Sequence, residues 1–251
     1  MPASLSKRIR RFLRGHWKWV ENGDGPAEIP IGMLISPLRY DVLTRKAFIE
    51  FYESHRDLYR FDLERFVDLA RLQPYTAWLE KIVAARRTPH LLTDPVALRR
   101  STANRVQQFI ALYDRMVAAG FNRRHPIEIR VTERLLPTAT GKHVQAPYVL
   151  GDGSHRLAFL MTQGYDALPR KYFRIRWFKQ IVPFDSTATL AREIPLGEAE
   201  YAAYLSLVYA APATFTRLDD LLAHVAASAP SRLQELRALI GIDGYQALVT
   251  R

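Results

Sequence analysis

The chain contains no cysteine. That removes disulfides, thiolate nucleophiles and cysteine-ligated zinc or iron–sulfur centres, and it is compatible with a reducing cytoplasm. Nowhere does an apolar run approach the roughly 20 residues needed to span a bilayer. The N-terminal residues lack the apolar core of a signal peptide, so the protein is expected to stay in the cytoplasm. No spaced set of acids or histidines points to a metal cluster, and neither an internal repeat nor a low-complexity tract is present. Acidic side chains are absent from residues 1–20, which hold Lys7, Arg8, Arg10, Arg11, Arg14 and Lys18.

What is present is an ordinary soluble composition: 251 residues, 48% of them hydrophobic, enough for one compound domain or two small ones. The formal net charge is +11, and the six cations of residues 1–20 leave only +5 for the rest of the chain. A nucleic-acid binder spreads its cations over a folded face, so nucleic acid is the less favoured partner. On a helical wheel Leu5, Ile9, Phe12, Leu13 and Trp17 share one side of this N-terminal segment. That pattern suits an interfacial helix at the inner face of an anionic membrane, a helix docked on the protein body, or an unstructured basic leader.

The periodicities divide the chain into a basic segment (1–20), a mainly helical region (21–120), a small sheet domain (121–190) and a helical C-terminal region (191–251). Asn22 to Pro26 form a break, and Ile29 to Ile35 an edge strand. Helical spacing follows in three groups. The first holds Phe48, Phe51, Tyr52, Leu63, Phe66, Val67 and Ala70; the second Tyr75, Trp78, Leu79, Ile82 and Val83; the third Val106, Phe109, Ile110, Tyr113, Met116 and Val117. The third helix is opened by Asp94-Pro95 and closed by Gly120. The period then changes to two: Ile127, Ile129 and Val131 alternate with Glu128, Arg130 and Thr132, and Phe173, Ile175 and Trp177 alternate with Arg174 and Arg176 across a strand from Lys171 to Phe178. Helices are expected again over 198–210, 218–227 and 231–240. The fold class is α+β, a small mixed sheet embedded between helical regions.

Between the alternating strands lies the stretch with the clearest chemical content. Tyr148 to Leu150 reads as a strand, Gly151-Asp152-Gly153 as a turn, and Ser154 onward as a helix to about Gln163, ended by Gly164. A glycine turn from strand to helix leaves the first helical N–H groups pointing at a phosphate-sized hole at the positive end of the helix dipole. Asp152, Ser154, His155 and Arg156 crowd around it. The alternative is a plain capped helix, with Asp152 or Ser154 as cap and Arg156 as a surface charge.

Residues 127–178, and above all Asp152-Gly153-Ser154-His155-Arg156 with Gly164 to Pro169 after it, resemble the ParB/sulfiredoxin superfamily. The resemblance implies a ParB/sulfiredoxin-like domain whose helix N-terminus meets nucleotide phosphates. Sulfiredoxins carry a catalytic cysteine where this chain has Ser154, and partition-type ParB proteins carry an acid after the glycine and a DNA-reading helix that is not recognisable here. The turn is most similar to the free serine kinase branch, through Asp152, Gly153 and Arg156. Along its whole length the chain also looks like ParB-like proteins associated with surface-polysaccharide clusters.

The resemblance implies a nucleotide-dependent kinase or related phosphotransferase acting on a small-molecule or glycan hydroxyl, with ATP, ADP or CTP and Mg2+ as cofactors. Such chemistry needs positioned positive charge more than covalent help. Gly151, Gly153, Ser154 and Arg156 would hold the phosphates, with Lys142, and His143 beside it, on a loop able to fold over them. Asp152 would orient the hydroxyl or bind the metal, His155 would act as acid or base or else pack, and Glu133 would face the acceptor. The alternatives are a non-catalytic, nucleotide-responsive scaffold at the membrane surface and, less favoured, a ParB-like nucleic-acid binder. The oligomeric state is left open.

Overall fold

The structure, a computed structural model, describes residues 17–19, 25–35, 40–86, 93–132, 148–178, 215–228 and 230. Five helices precede the sheet's central strand: α1 (Tyr40–Ser54), α2 (Arg56–Phe61), α3 (Leu63–Arg71), α4 (Pro74–Arg86) and α5 (Pro95–Ala119). Strands β3 (Ile127–Thr132) and β4 (Val149–Asp152) lead into α6 (Ser154–Thr162), and β6 (Phe173–Phe178) follows. Two short strands, β2 (Glu28–Pro30) and β5 (Ala167–Pro169), pair with each other, and α7 (Leu218–Ser228) packs on α1. The α+β class is as expected. Glu133, Lys142 and His143 lie outside the described residues, as do residues 1–16 and the expected helices at 198–210 and 231–240.

The local signals explain α5 almost completely. Asp94 accepts from the Ala97 N–H, Pro95 occupies the first helical position, and Gly120 closes the helix with its N–H on the Met116 carbonyl. Val106, Phe109, Ile110, Tyr113 and Met116 are buried as the spacing predicts. Val117 is not: it is 50% exposed, because one step past Met116 turns a side chain by about 100° and off the stripe. Leu63 likewise sits exposed at the start of α3, while Phe66, Val67 and Ala70 are buried. On α4, Tyr75, Trp78 and Leu79 are buried; the side chains of Ile82 and Val83 lie outside the description.

A four-stranded sheet runs in the order β1–β6–β3–β4, with β6 parallel to β3 and both outer pairs antiparallel. Its first strand, β1 (Trp17–Trp19), corrects the expected helix over residues 1–20 at its C-terminal end. Trp17 pairs with Phe178 and Trp19 with Arg176, since aromatic residues suit a strand and the open edge of β6 needs a partner for its amides. Three smaller corrections concern strand limits. The 29–35 run is strand only to Pro30 and then a 3-10 turn, β6 begins at Phe173 after another such turn, and β4 extends through Gly151 to Asp152.

Alternation gives the sheet two unlike faces. Ile127, Ile129, Leu150, Phe173 and Ile175 are buried and meet Leu157, Ala158, Leu160 and the helices beyond in one hydrophobic cluster. Of the helix pairs, α1 and α6 pack most extensively, so the helical region and the sheet share that core. α6 ends as expected, with Gly164 at φ +77°, its N–H on the Met161 carbonyl and the Tyr165 N–H on the Leu160 carbonyl. No helix among the described residues is long and apolar enough to cross a membrane.

Two substitutions test this account by urea unfolding. Asp94→Ala is expected to cost about 1 kcal/mol through loss of the α5 cap. Leu157→Ala, at a fully buried position, is expected to cost about 2–5 kcal/mol, and a loss no larger than that of Val117→Ala would contradict the placement of α6 in the core.

Candidate functional site

The turn is tighter than the sequence suggests. β4 ends at Asp152 and α6 begins at Ser154, so one residue, Gly153, makes the whole reversal at φ +102°. A Cβ there would lie 3.0 Å from Ile127 Cγ1 and 3.3 Å from the Ile127 backbone, so both conformation and space call for glycine. Gly153 is itself the N-cap, with no side-chain cap hydrogen bond. The alternative of capping by Asp152 or Ser154 is thereby corrected: Asp152 belongs to the strand, and Ser154 is already helical.

Arg156 explains where the Asp152 carboxylate goes. Its Nη2 donates to Asp152 Oδ2 at 3.1 Å, while Nη1 donates to the carbonyls of His125 and Pro126, the latter at 2.8 Å. The arginine side chain is 19% exposed and the aspartate 75%. The expected phosphate ligand is thus also a clamp, tying the entry of β3 to the first turn of α6. A guanidinium has five N–H donors. The Nε–H of Arg156 and one Nη2–H have no partner among the described residues.

His155 points the other way. Its ring meets Phe109 edge-on at 4.6 Å between centroids and Tyr75 at 6.4 Å. Burial among these rings, reinforced by the cations of Arg45 and Arg156, holds the imidazole well below its ordinary pKa of 6.5. The neutral ring packs against Phe109 and Tyr75, the packing role that the sequence had left open beside acid/base work.

Behind it lies a charged pair that the sequence reading missed. Arg45 and Asp41 on α1 are both buried, with Arg45 Nη1 2.9 Å from Asp41 Oδ2 and 2.6 Å from the Asp41 carbonyl. The guanidinium lies 4.4 Å above the Trp78 ring and 5.5 Å from that of Tyr75, and its Nε has no hydrogen-bond partner among the described residues. The available signal was the i, i+4 spacing of Asp41 and Arg45 on the apolar face that carries Phe48 and Tyr52.

The second acid near the turn is Glu128. It stands opposite Asp152 in the β3–β4 ladder, where a register shift leaves Gly151 as the extra residue. A Cβ on Gly151 would come within 2.5 Å of Arg130 Nε and 2.9 Å of Glu128 Oε1, so glycine leaves room for that ion pair to cross the strand. Glu128 accepts from Arg130 Nε and Arg176 Nη2, each at 2.9 Å, one on each oxygen. Arg176 is thus engaged, and it also lies 4.2 Å above the Trp19 ring.

Gly151, Asp152, Gly153, Ser154 and Arg156 come together at the turn, and His155 leaves it for the core. Glu133 and Lys142 lie outside the described residues, among which no three His, Asp or Glu side chains gather as a metal site. A separate cleft of about 690 Å³ between α1, the α3–α4 junction and the start of α7 contains none of the expected site residues. No protein-family model, curated protein or solved structure matches the chain.

The neutral His155 has a measurable consequence. Its folded-state pKa is depressed, so the unfolded chain binds more protons below about pH 6.5 and stability falls as pH falls through that range. His155→Phe keeps an aromatic ring but removes the titration. Urea unfolding is expected to show the variant gaining on the parent by up to about 1.4 kcal/mol per pH unit below 6.5, with parallel pH profiles as the contrary result.

Proposed function

We infer that the turn from Gly151 to Arg156 binds the phosphates of a nucleotide, and that the protein is a nucleotide-dependent phosphotransferase acting on a small-molecule or glycan hydroxyl. The observation that carries the reading is the bare N-terminus of α6. Gly153 caps it without a side chain, so no cap competes for the first amides, and the Arg156 guanidinium stands within the same turn. The resemblance to the ParB/sulfiredoxin superfamily, nearest the free serine kinase branch, supplies the nucleotide and the reaction class.

The residues fit a metal that arrives with its substrate better than one held in a protein cage. Asp152 is largely exposed and bonded through one oxygen, whereas Glu128 is held on both. One carboxylate with phosphate oxygens and waters is a common Mg2+ environment in phosphoryl-transfer enzymes. In that arrangement the α6 amides and the remaining Arg156 donors hold phosphate oxygens, and Asp152 orients the attacking hydroxyl or carries the ion.

One observation favours a second reading, nucleotide binding without transfer at a membrane surface. With His155 in the core and Glu128 engaged, Asp152 is the one acid of the turn, among the described residues, with an oxygen to spare. The basic residues 7–14 would supply the contact with anionic lipid.

Calorimetry with ATP, ADP and CTP, with and without Mg2+, separates these readings when paired with Asp152→Asn. Under the phosphotransferase reading the variant retains nucleotide affinity, because Arg156 loses a competitor, while ADP release with a panel of hydroxyl acceptors falls by about 10²–10⁴-fold. Binding with no turnover in either protein selects the scaffold. Absence of binding to all three nucleotides refutes both.

A further inference from the structure

The outer face of the four-stranded sheet is unlike an ordinary solvated surface. Glu128 and Arg130 on β3, and Arg174 and Arg176 on β6, all project from it, opposite the buried Ile127, Ile129, Phe173 and Ile175. Glu128 sits between Arg130 and Arg176 and accepts from both, one on each oxygen, while Asp152 opposite it is held by Arg156. Arg174 is exposed and has no partner among the described residues. At the β1 edge Trp19 is 43% exposed although the Arg176 guanidinium lies over its ring, which leaves indole surface open to solvent.

We propose that this face binds single-stranded nucleic acid, with Trp19 and the Arg176 guanidinium as a stacking platform and Arg130 and Arg174 as phosphate contacts. The inference is independent of the nucleotide site at the α6 turn.

The chemistry selects that occupant. A sheet carrying an aromatic ring beside arginine planes suits splayed bases, which stack on either, and cations on neighbouring strands suit a backbone running across them. Four strands about 4.8 Å apart offer width for two or three nucleotides. A glycan would need open acceptors, but both Glu128 oxygens are taken. A membrane would need a broad exposed apolar surface, and of the described side chains on this face Val149 is half-buried while Arg174 and Trp19 are exposed. A duplex would hide its bases from Trp19 and gain from charge alone. The N-terminal cations account for most of the charge excess; the pairing of β6 with β3 collects a second group of cations that linear spacing keeps apart.

The test is fluorescence anisotropy of the full chain with labelled oligo(dT) and oligo(U) of about 12 nucleotides and with a duplex of the same length, at roughly 50 mM salt and above. The expected result is tighter binding of single strands than of duplex. Trp19→Ala should weaken single-strand binding by about tenfold while Trp19→Phe preserves it within a few fold. Arg174→Ala, at an exposed position that cannot compromise folding, should reduce the salt slope by about 1. A variant with Lys7, Arg8, Arg10, Arg11 and Arg14 replaced by Gln should bind more weakly yet keep its dependence on Trp19. Equal affinity for duplex and single strand with no effect of Trp19→Ala or Arg174→Ala overturns the proposal, as does complete loss of binding when the N-terminal cations are replaced.

Discussion

Arg156 is the contact on which the rest of this region depends. Its guanidinium joins three segments that are separate in the chain: the loop entering β3, the end of β4 and the first turn of α6. Two of its acceptors are neutral carbonyls, which orient the cation without cancelling its charge. The third, Asp152, is three-quarters exposed, and an ion pair of that kind contributes only about 0–1 kcal/mol. The arginine is therefore fixed in place yet its charge stays weakly compensated. A structural clamp and an anion contact are compatible here, because an incoming phosphate has only Asp152 to displace.

Buried charge is arranged around the same helix end. Arg45 lies inside the core, paired with Asp41 and covered by Trp78 and Tyr75, and His155 between these rings is held neutral. Taking a guanidinium out of water is costly unless it is paired, and breaking such a pair typically costs several kcal/mol. A protonated His155 would put a second cation beside this one, so the core selects the neutral imidazole. The positive potential at the start of α6 consequently comes from Arg156, the helix dipole and the buried Arg45, none of which depends on pH near neutrality.

Much of the fold was legible because its signals are local. Asp94-Pro95 and Gly120 bound α5, Gly164 ends α6, and the alternation of Ile127–Val131 and Phe173–Trp177 marks the two central strands; each depends on residues within one or two turns of chain. What depends on distant partners was not legible. Trp17–Trp19 read as helix because its pairing strand, Phe173–Phe178, lies far along the chain. The cap left open for Asp152 is absent because Arg156, held by the His125 and Pro126 carbonyls that nothing in the sequence places, draws the aspartate to it. Asp41 and Arg45 were passed over, because nothing local to them shows that α1 buries them among Tyr75 and Trp78. The site residues brought together were those sharing one turn, and the ion pairs of Glu128 with Arg130 and Arg176 were missed because they meet only through strand register.

That register also joins the two proposed surfaces. Asp152 faces the α6 turn through Arg156 and stands opposite Glu128, which anchors the arginines of the outer sheet face. Directly opposed carboxylates repel, and here each is held apart by its own arginine. Gly151 is the residue whose missing side chain lets the Arg130–Glu128 ion pair lie against the strand, one step from the turn that Arg156 clamps.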